Sequence, residues 1–186
     1  NTNVNISGNT VTGEGPVAYI AQNGIQVGYG GSAQIIDNSV SGNSYTGTST
    51  ASGGIIVVGG PGYGNCVGST PCAYSANSQI DLNTVANNDI GIWLSNIDTS
   101  NNPPTSATNN KVVNNTITSD GLHNHYGGTG YQAGIADQGY NDKLIGNKIY
   151  GDGYNPDANP GAYTVAIDAD PSFTNKPKVH ANVIEP

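Results

Sequence analysis

The side chains best suited to acid–base work in this chain are Asp137, Asp168 and Asp170, together with the histidine pair His123 and His125. Glycoside hydrolysis takes two carboxyl groups at a set separation. Asp137 closes one short apolar segment, and Asp168 and Asp170 follow the next, so neighbouring layers of chain could bring them within reach. Asp120 and Asp152 open the adjoining loops. Turn capping explains the same residues, since Asp and Asn favour strand ends for that reason. His123 and His125 lie in Gly121-Leu-His-Asn-His-Tyr126, and with Asp120 or Asp137 their imidazoles could ligate a metal or supply a base. A solvated loop accounts for the pair as well. Acidic loops are compatible with Ca²⁺, but no Asp-x-Asp-x-Asp-Gly loop is present, so no metal or cofactor is expected.

A second group of residues could bind rather than react. Trp93 is the single tryptophan, and Tyr29, Tyr63, Tyr126, Tyr131 and Tyr154 lie in the segments around it. Aromatic rings with one exposed face stack on sugar rings, and Trp93, Gln26, Tyr126 and Tyr131 form the candidate binding set. Two other readings stay open. The tyrosine-rich loops could fold over the indole and bury it, or the apolar stripe could be a protein interface.

Two repeating units must position these groups. The first is an apolar residue, two variable ones, an Asn, one variable residue and a second apolar one. It recurs at 6–11, 35–40, 80–85, 112–117, 144–149 and 179–184, with its asparagines at Asn9, Asn38, Asn83, Asn115, Asn147 and Asn182. The second alternates with it: Gly24-Ile-Gln-Val27, Gly54-Ile-Ile-Val57, Gly91-Ile-Trp-Leu94, Gly134-Ile-Ala-Asp137 and a degenerate copy, Thr164-Val-Ala-Ile167. Period-two alternation makes each a short strand with its middle residue outward. The shortest spacing from Asn to Gly is 8 residues and from Gly to Asn 13, so a minimal coil takes about 21. That length suits three short strands and three turns, the pattern of a parallel β-helix. Stacked Asn side chains should form a hydrogen-bonded ladder at one corner, which tolerates no insertion. The other two corners accept insertions, so the Gly-unit sheet becomes the floor of a loop-walled groove. Its outward residues should be Gln26, Ile56, Trp93, Ala136 and Ala166.

Composition narrows the function. Only 35% of residues are hydrophobic, which suits a one-strand-thick solenoid better than a two-layer core. Five lysines, no arginine and 13 acidic residues give a net charge of −8, so a phosphate backbone or an anionic membrane would be repelled. Cys66 and Cys72 have too few companions for a metal site and read as a short-loop disulfide, with free thiols as the alternative. With the Asn-, Gly-, Ser-, Thr- and Tyr-rich surface, they point to a secreted protein.

The alternation of Gly-Ile-x-Leu with Ile-x-x-Asn-x-Ile resembles the right-handed parallel β-helix repeat of the pectate-lyase-like superfamily. It is especially similar to the parallel β-helix repeat group that includes alginate epimerases and periplasmic copper-site maturation proteins. The resemblance spans essentially the whole chain and implies one all-β domain over 1–186, with about five coils and three short parallel sheets. Family lyases and epimerases use basic residues, often with a metal, to neutralise a uronate and remove a proton. None of the five expected floor residues can do that, and Lys111, Lys143 and Lys148 fall beside the insertion-free corner. A hydrolase is the better enzyme alternative.

Both terminal units are Asn units, with no amphipathic capping helix beside them. The expected partners are therefore further coils of a longer chain or other copies stacked end to end, with polysaccharide as a ligand. The leading expectation is a non-catalytic extracellular structural or surface module. The alternative is a polysaccharide-active enzyme or glycan-binding module that uses the groove.

Overall fold

The computed structural model describes residues 3–169 and 177–185, and the repeat units within them become the coils of a parallel β-solenoid. The first coil holds β1 (Val4–Ser7), β2 (Thr10–Val17) and β3 (Asn23–Gly28). The second holds β4 (Ala33–Ile36), β5 (Ser39–Tyr45) and β6 (Gly53–Gly59), followed by a small antiparallel hairpin of β7 (Asn65–Val67) and β8 (Thr70–Pro71). The third runs through β9 (Gln79–Asp81), β10 (Thr84–Ala86) and β11 (Ile90–Asn96). The fourth has β12 (Lys111–Val113), β13 (Thr116–Thr118) and β14 (Tyr131–Asp137), and the fifth β15 (Lys143–Ile145), β16 (Lys148–Tyr150) and β17 (Tyr163–Ala169). A further turn begins with β18 (Lys178–His180) and β19 (Val183–Glu185). Three parallel sheets result: sheet A (β1, β4, β9, β12, β15, β18), sheet B (β2, β5, β10, β13, β16, β19) and sheet C (β3, β6, β11, β14, β17).

The asparagine units build the corner between sheets A and B. The residue before each ladder Asn takes a left-handed backbone: Gly8, Asp37, Leu82, Asn114, Gly146 and Ala181, with φ between 54° and 68°. One such residue reverses the chain between two strands, so an insertion there would misplace the next strand. For Leu82 or Ala181 this conformation costs about 1–2 kcal/mol. The ladder offsets it. Asn38, Asn83 and Asn115 each donate Nδ2 to the Oδ1 of the Asn one coil on, at 2.9, 2.9 and 3.0 Å, and the same amides bond corner carbonyls.

The interior is a stack of aliphatic rows. Ile35, Ile80, Val112 and Leu144 fill it from sheet A, Val40, Val85, Ile117 and Ile149 from sheet B, and Ile55, Ile92 and Ile135 from sheet C, all fully buried. Each contributes roughly 1.5–3 kcal/mol of burial, which lets a chain poor in apolar residues hold a core one residue thick.

The glycines of the second unit are required by close stacking. A Cβ on Gly91 would sit 2.6 Å from the Gly134 carbonyl oxygen, and one on Gly134 2.6 Å from that of Ala166. This corrects the expected register of the fifth coil. Ile135 pairs with Ile167 and Ala136 with Asp168, so Ala166 takes the glycine position and its methyl group packs into the core. Val165 packs on the outer face instead, and Asp168 replaces Ala166 on the floor. Alanine is tolerated at 166 because β17 is the edge strand of sheet C among the described residues, with no following carbonyl for its Cβ to meet.

Candidate functional site

Sheet C carries the groove. Its outward row is continuous by register from Gln26 through Ile56, Trp93 and Ala136 to Asp168. A cavity of about 240 Å³ lies over the C-terminal half of this row, lined by Thr50, Ala51, Ile90, Trp93, Tyr126, Tyr131, Ala136, Asp137, Gln138 and Asp168. Gln26 is exposed at the other end, where its Oε1 accepts Asn23 Nδ2, and lies outside that cavity.

The walls are insertions, and buried polar groups fix them. Asn124 sits between the two histidines but is itself buried. It donates Nδ2 to the Tyr131 carbonyl at 2.6 Å and accepts the Tyr131 N–H at 2.9 Å, clamping the 119–130 loop against the head of β14. That loop reaches across the third coil, where Gly127 N–H bonds the Thr48 carbonyl at 3.0 Å. Asp89 holds the 45–52 loop from beneath, accepting from Ser44 Oγ at 2.5 Å and from the Tyr45 and Ser52 amides at 3.0 and 2.8 Å. Burial pushes its carboxyl above the usual range, and the hydrogen bonds oppose that shift. The sequence reading missed Asp89 and the short amide ladder from Asn43 to Asn88 beside it; each Asn stands five residues after a ladder Asn, but only in these two units, so no repeat marks them. The opposite wall carries the Cys66–Cys72 disulfide, which closes the β7–β8 hairpin as expected.

Trp93 is half-buried, packed among Ile90, Ala133 and Ala136 with Tyr131 and Val165 alongside. Its Nε1 donates to Gln138 Oε1 at 3.1 Å, and Ser95 Oγ donates to the same oxygen at 3.1 Å. Tyr131 stacks on Tyr163 with centroids 5.6 Å apart and planes 6° from parallel, and meets Tyr126 edge-on at 6.1 Å. Its hydroxyl donates to Asp168 Oδ2 at 2.7 Å. Burial, then the neighbouring Asp168 charge, holds that phenol far above its ordinary pKa, so it stays a donor at any working pH.

The other candidates do not converge on this aromatic patch. His123 bonds Asp120 at 2.7 Å on the rim, His125 is exposed, and no group of three or more metal-ligating side chains occurs among the described residues. Asp170 lies outside the described residues. Asp137 borders the cavity, but strand alternation sends its carboxyl to the inner face, where it is 2% exposed and accepts the Gly139 N–H at 2.8 Å. Its Oδ2 makes no hydrogen bond of good geometry, and the group acting on it is the Asp142 carboxyl. Asp142 is itself buried, bonded to Thr108 Oγ1 at 2.7 Å and Asn110 N at 2.6 Å. Burial, reinforced by the Asp142 charge, pushes Asp137 well above the carboxylate range, so the pair keeps a proton. Asp137 and Asp168 thus face opposite sides of one sheet. Among the described residues, the outward carboxyl group at the cavity is that of Asp168.

Comparison with protein-family models, with curated protein sequences and with solved structures finds no match to this chain. The groove's own geometry therefore carries the functional reading.

Proposed function

We propose that this protein is a non-catalytic glycan-binding β-solenoid module, with the sheet C groove as its site. The supporting observation is the combination around one cavity: the Trp93 indole on the floor, the Tyr126–Tyr131–Tyr163 cluster on the wall, and planar polar groups from Gln138 and Asp168 between them. Aromatic faces pack against the C–H faces of a sugar, and fixed carboxylate and amide groups pair with its hydroxyls. Among the described residues no cationic side chain lines the cavity, which favours an uncharged sugar. The resemblance to the pectate-lyase-like superfamily is consistent with a saccharide ligand, and the disulfide fits an oxidising, extracellular setting. Because Trp93 is the single tryptophan, its fluorescence reports on the groove directly. Neutral oligosaccharides of plant and bacterial origin should shift its emission, and Trp93→Ala should abolish retention on the responding glycan. A broad glycan panel with no binder sinks the reading.

A second reading, a structural module that stacks end to end, rests on the polarity of the asparagine ladder. Each rung donates its N–H and Nδ2 to the Oδ1 of the next, from Asn9 to Asn38 at 3.0 and 2.9 Å through to Asn147 and Asn182 at 2.9 Å each. A further coil, from this chain or from another copy, would continue that pattern in register. Light scattering over a range of concentrations tests self-association, and a strict monomer removes it.

A further inference from the structure

Sheet A, which the groove does not use, carries a row of positive charge. Lys111 pairs in register with Lys143, and Lys143 with Lys178, so three of the chain's five basic residues occupy successive rungs of one outward row. Like charges directly opposite on neighbouring strands destabilise a sheet. Thirteen acidic residues were available to alternate with them, yet among the described residues none of the three lysines makes an ion pair. The row is extended by Gln79, in register with Lys111. At that end lies a polar recess of about 270 Å³ formed by Asn77, Ser78, Gln79, Asn109 and Lys111. The next outward row presents the half-buried Val113 and Ile145, with Asp81 beyond Val113 and His180 beyond Ile145. Ammonium groups therefore recur about every 4.8 Å along the solenoid axis, with amides at one end and an apolar shoulder beside them.

We propose that this row is a second, non-catalytic docking site for a linear anionic polysaccharide lying along the solenoid axis. Sulfate ester and carboxylate groups are the two sources of the charge it would read. One charge per sugar recurs on the scale of one coil, and the Val113–Ile145 shoulder gives the sugar rings an apolar face. Polynucleotides fit poorly. Duplex DNA carries a charge about every 1.7 Å, far denser than one ammonium group per coil. The row contains no group positioned to react, so its role is retention, independent of the groove.

The test compares wild type, the triple variant Lys111→Gln/Lys143→Gln/Lys178→Gln and Trp93→Ala by calorimetric titration with dextran sulfate, polygalacturonate, neutral dextran and a single-stranded oligonucleotide. Replacing the lysines relieves repulsion, so the triple variant should fold, which circular dichroism checks. Wild type should bind one or both anionic polysaccharides at low salt and ignore dextran. Log affinity should fall with log salt at a slope of about −2, as expected for three contacts to a single-stranded polyanion. The triple variant should lose at least about tenfold in affinity, and Trp93→Ala should bind like wild type. The proposal is overturned by no binding of either polymer, by unchanged affinity in the triple variant, by loss of binding in Trp93→Ala, or by an oligonucleotide that binds equally well.

Discussion

Asn115 is the most informative single residue to change, because it is a middle rung of the ladder with every polar atom engaged. Its Oδ1 accepts the Asn83 N–H and Nδ2 at 2.9 Å each, and its Nδ2 reaches Ile80 O, Val113 O and Asn147 Oδ1 at 2.9, 3.0 and 3.0 Å. Asn115→Ala removes all five interactions inside a corner that water does not reach, and leaves the buried Asn83 N–H without an acceptor. Each lost bond is worth about 0.5–1.5 kcal/mol net, and an orphaned buried donor adds about 1–3 kcal/mol. Bifurcation makes these bonds weaker than the sum, so the expected cost is about 3–5 kcal/mol. For a domain of this size that corresponds to a fall in Tm of roughly 6–20 °C by calorimetry. Asn9→Ala is the control. Asn9 is exposed and lies at the first rung, so its loss should cost under about 1 kcal/mol. Asn115→Asp should be worse than alanine, since it turns a buried carboxylate towards carbonyl oxygens. Equal costs at Asn115 and Asn9, or a neutral Asn115→Asp, would refute the ladder as the source of corner stability.

Other perturbations follow from the same contacts. The raised pKa of Asp137 means that, above the ordinary value of 3.8, the native state keeps a proton the unfolded chain has released, so stability falls as pH rises through that window. Asp137→Asn should flatten this dependence and stabilise the neutral-pH protein by on the order of 1 kcal/mol, measured by urea denaturation at a series of pH values. Gly91→Ala drives a methyl group against the Gly134 carbonyl and the Ile117 side chain, both at 2.6 Å, and should cost several kcal/mol, whereas Ala166→Gly should cost about 1 kcal/mol or less. Replacing Cys66 and Cys72 by serine opens a loop that ties the exposed Cys66 to the buried Cys72, six residues on. The expected result is faster protease cleavage within 65–71 with little change in solenoid Tm, because the cross-link constrains only that local segment.

Much of the architecture was legible because a solenoid repeats one local problem. Six asparagines at one fixed place in a six-residue unit marked a corner that bonds its own and adjacent coils, and four glycines marked the sheet where backbones come closest. The other polar stacks were harder to see. The ladder of Ser78, Asn110 and Asp142 at the sheet A entrance uses a different side chain in each coil. The fifth floor strand was misread by two residues because alanine stood where glycine was expected.

The sequence by itself determined the coil, its three strands and the sheet expected to floor a groove, and favoured a Cys66–Cys72 disulfide over free thiols, since each depends on near-neighbour spacing. It also brought Trp93 and Tyr131 to that face. Only the tertiary structure turned Asp168 outward to meet Tyr131, and brought Asp137, inward by strand alternation, against Asp142. It set Lys111, Lys143 and Lys178, each the residue before an Asn unit, strand against strand without an acidic partner between them. The physical reason is that strand register sums every insertion in the preceding coil, and a shift of one residue moves a side chain to the opposite face of the sheet.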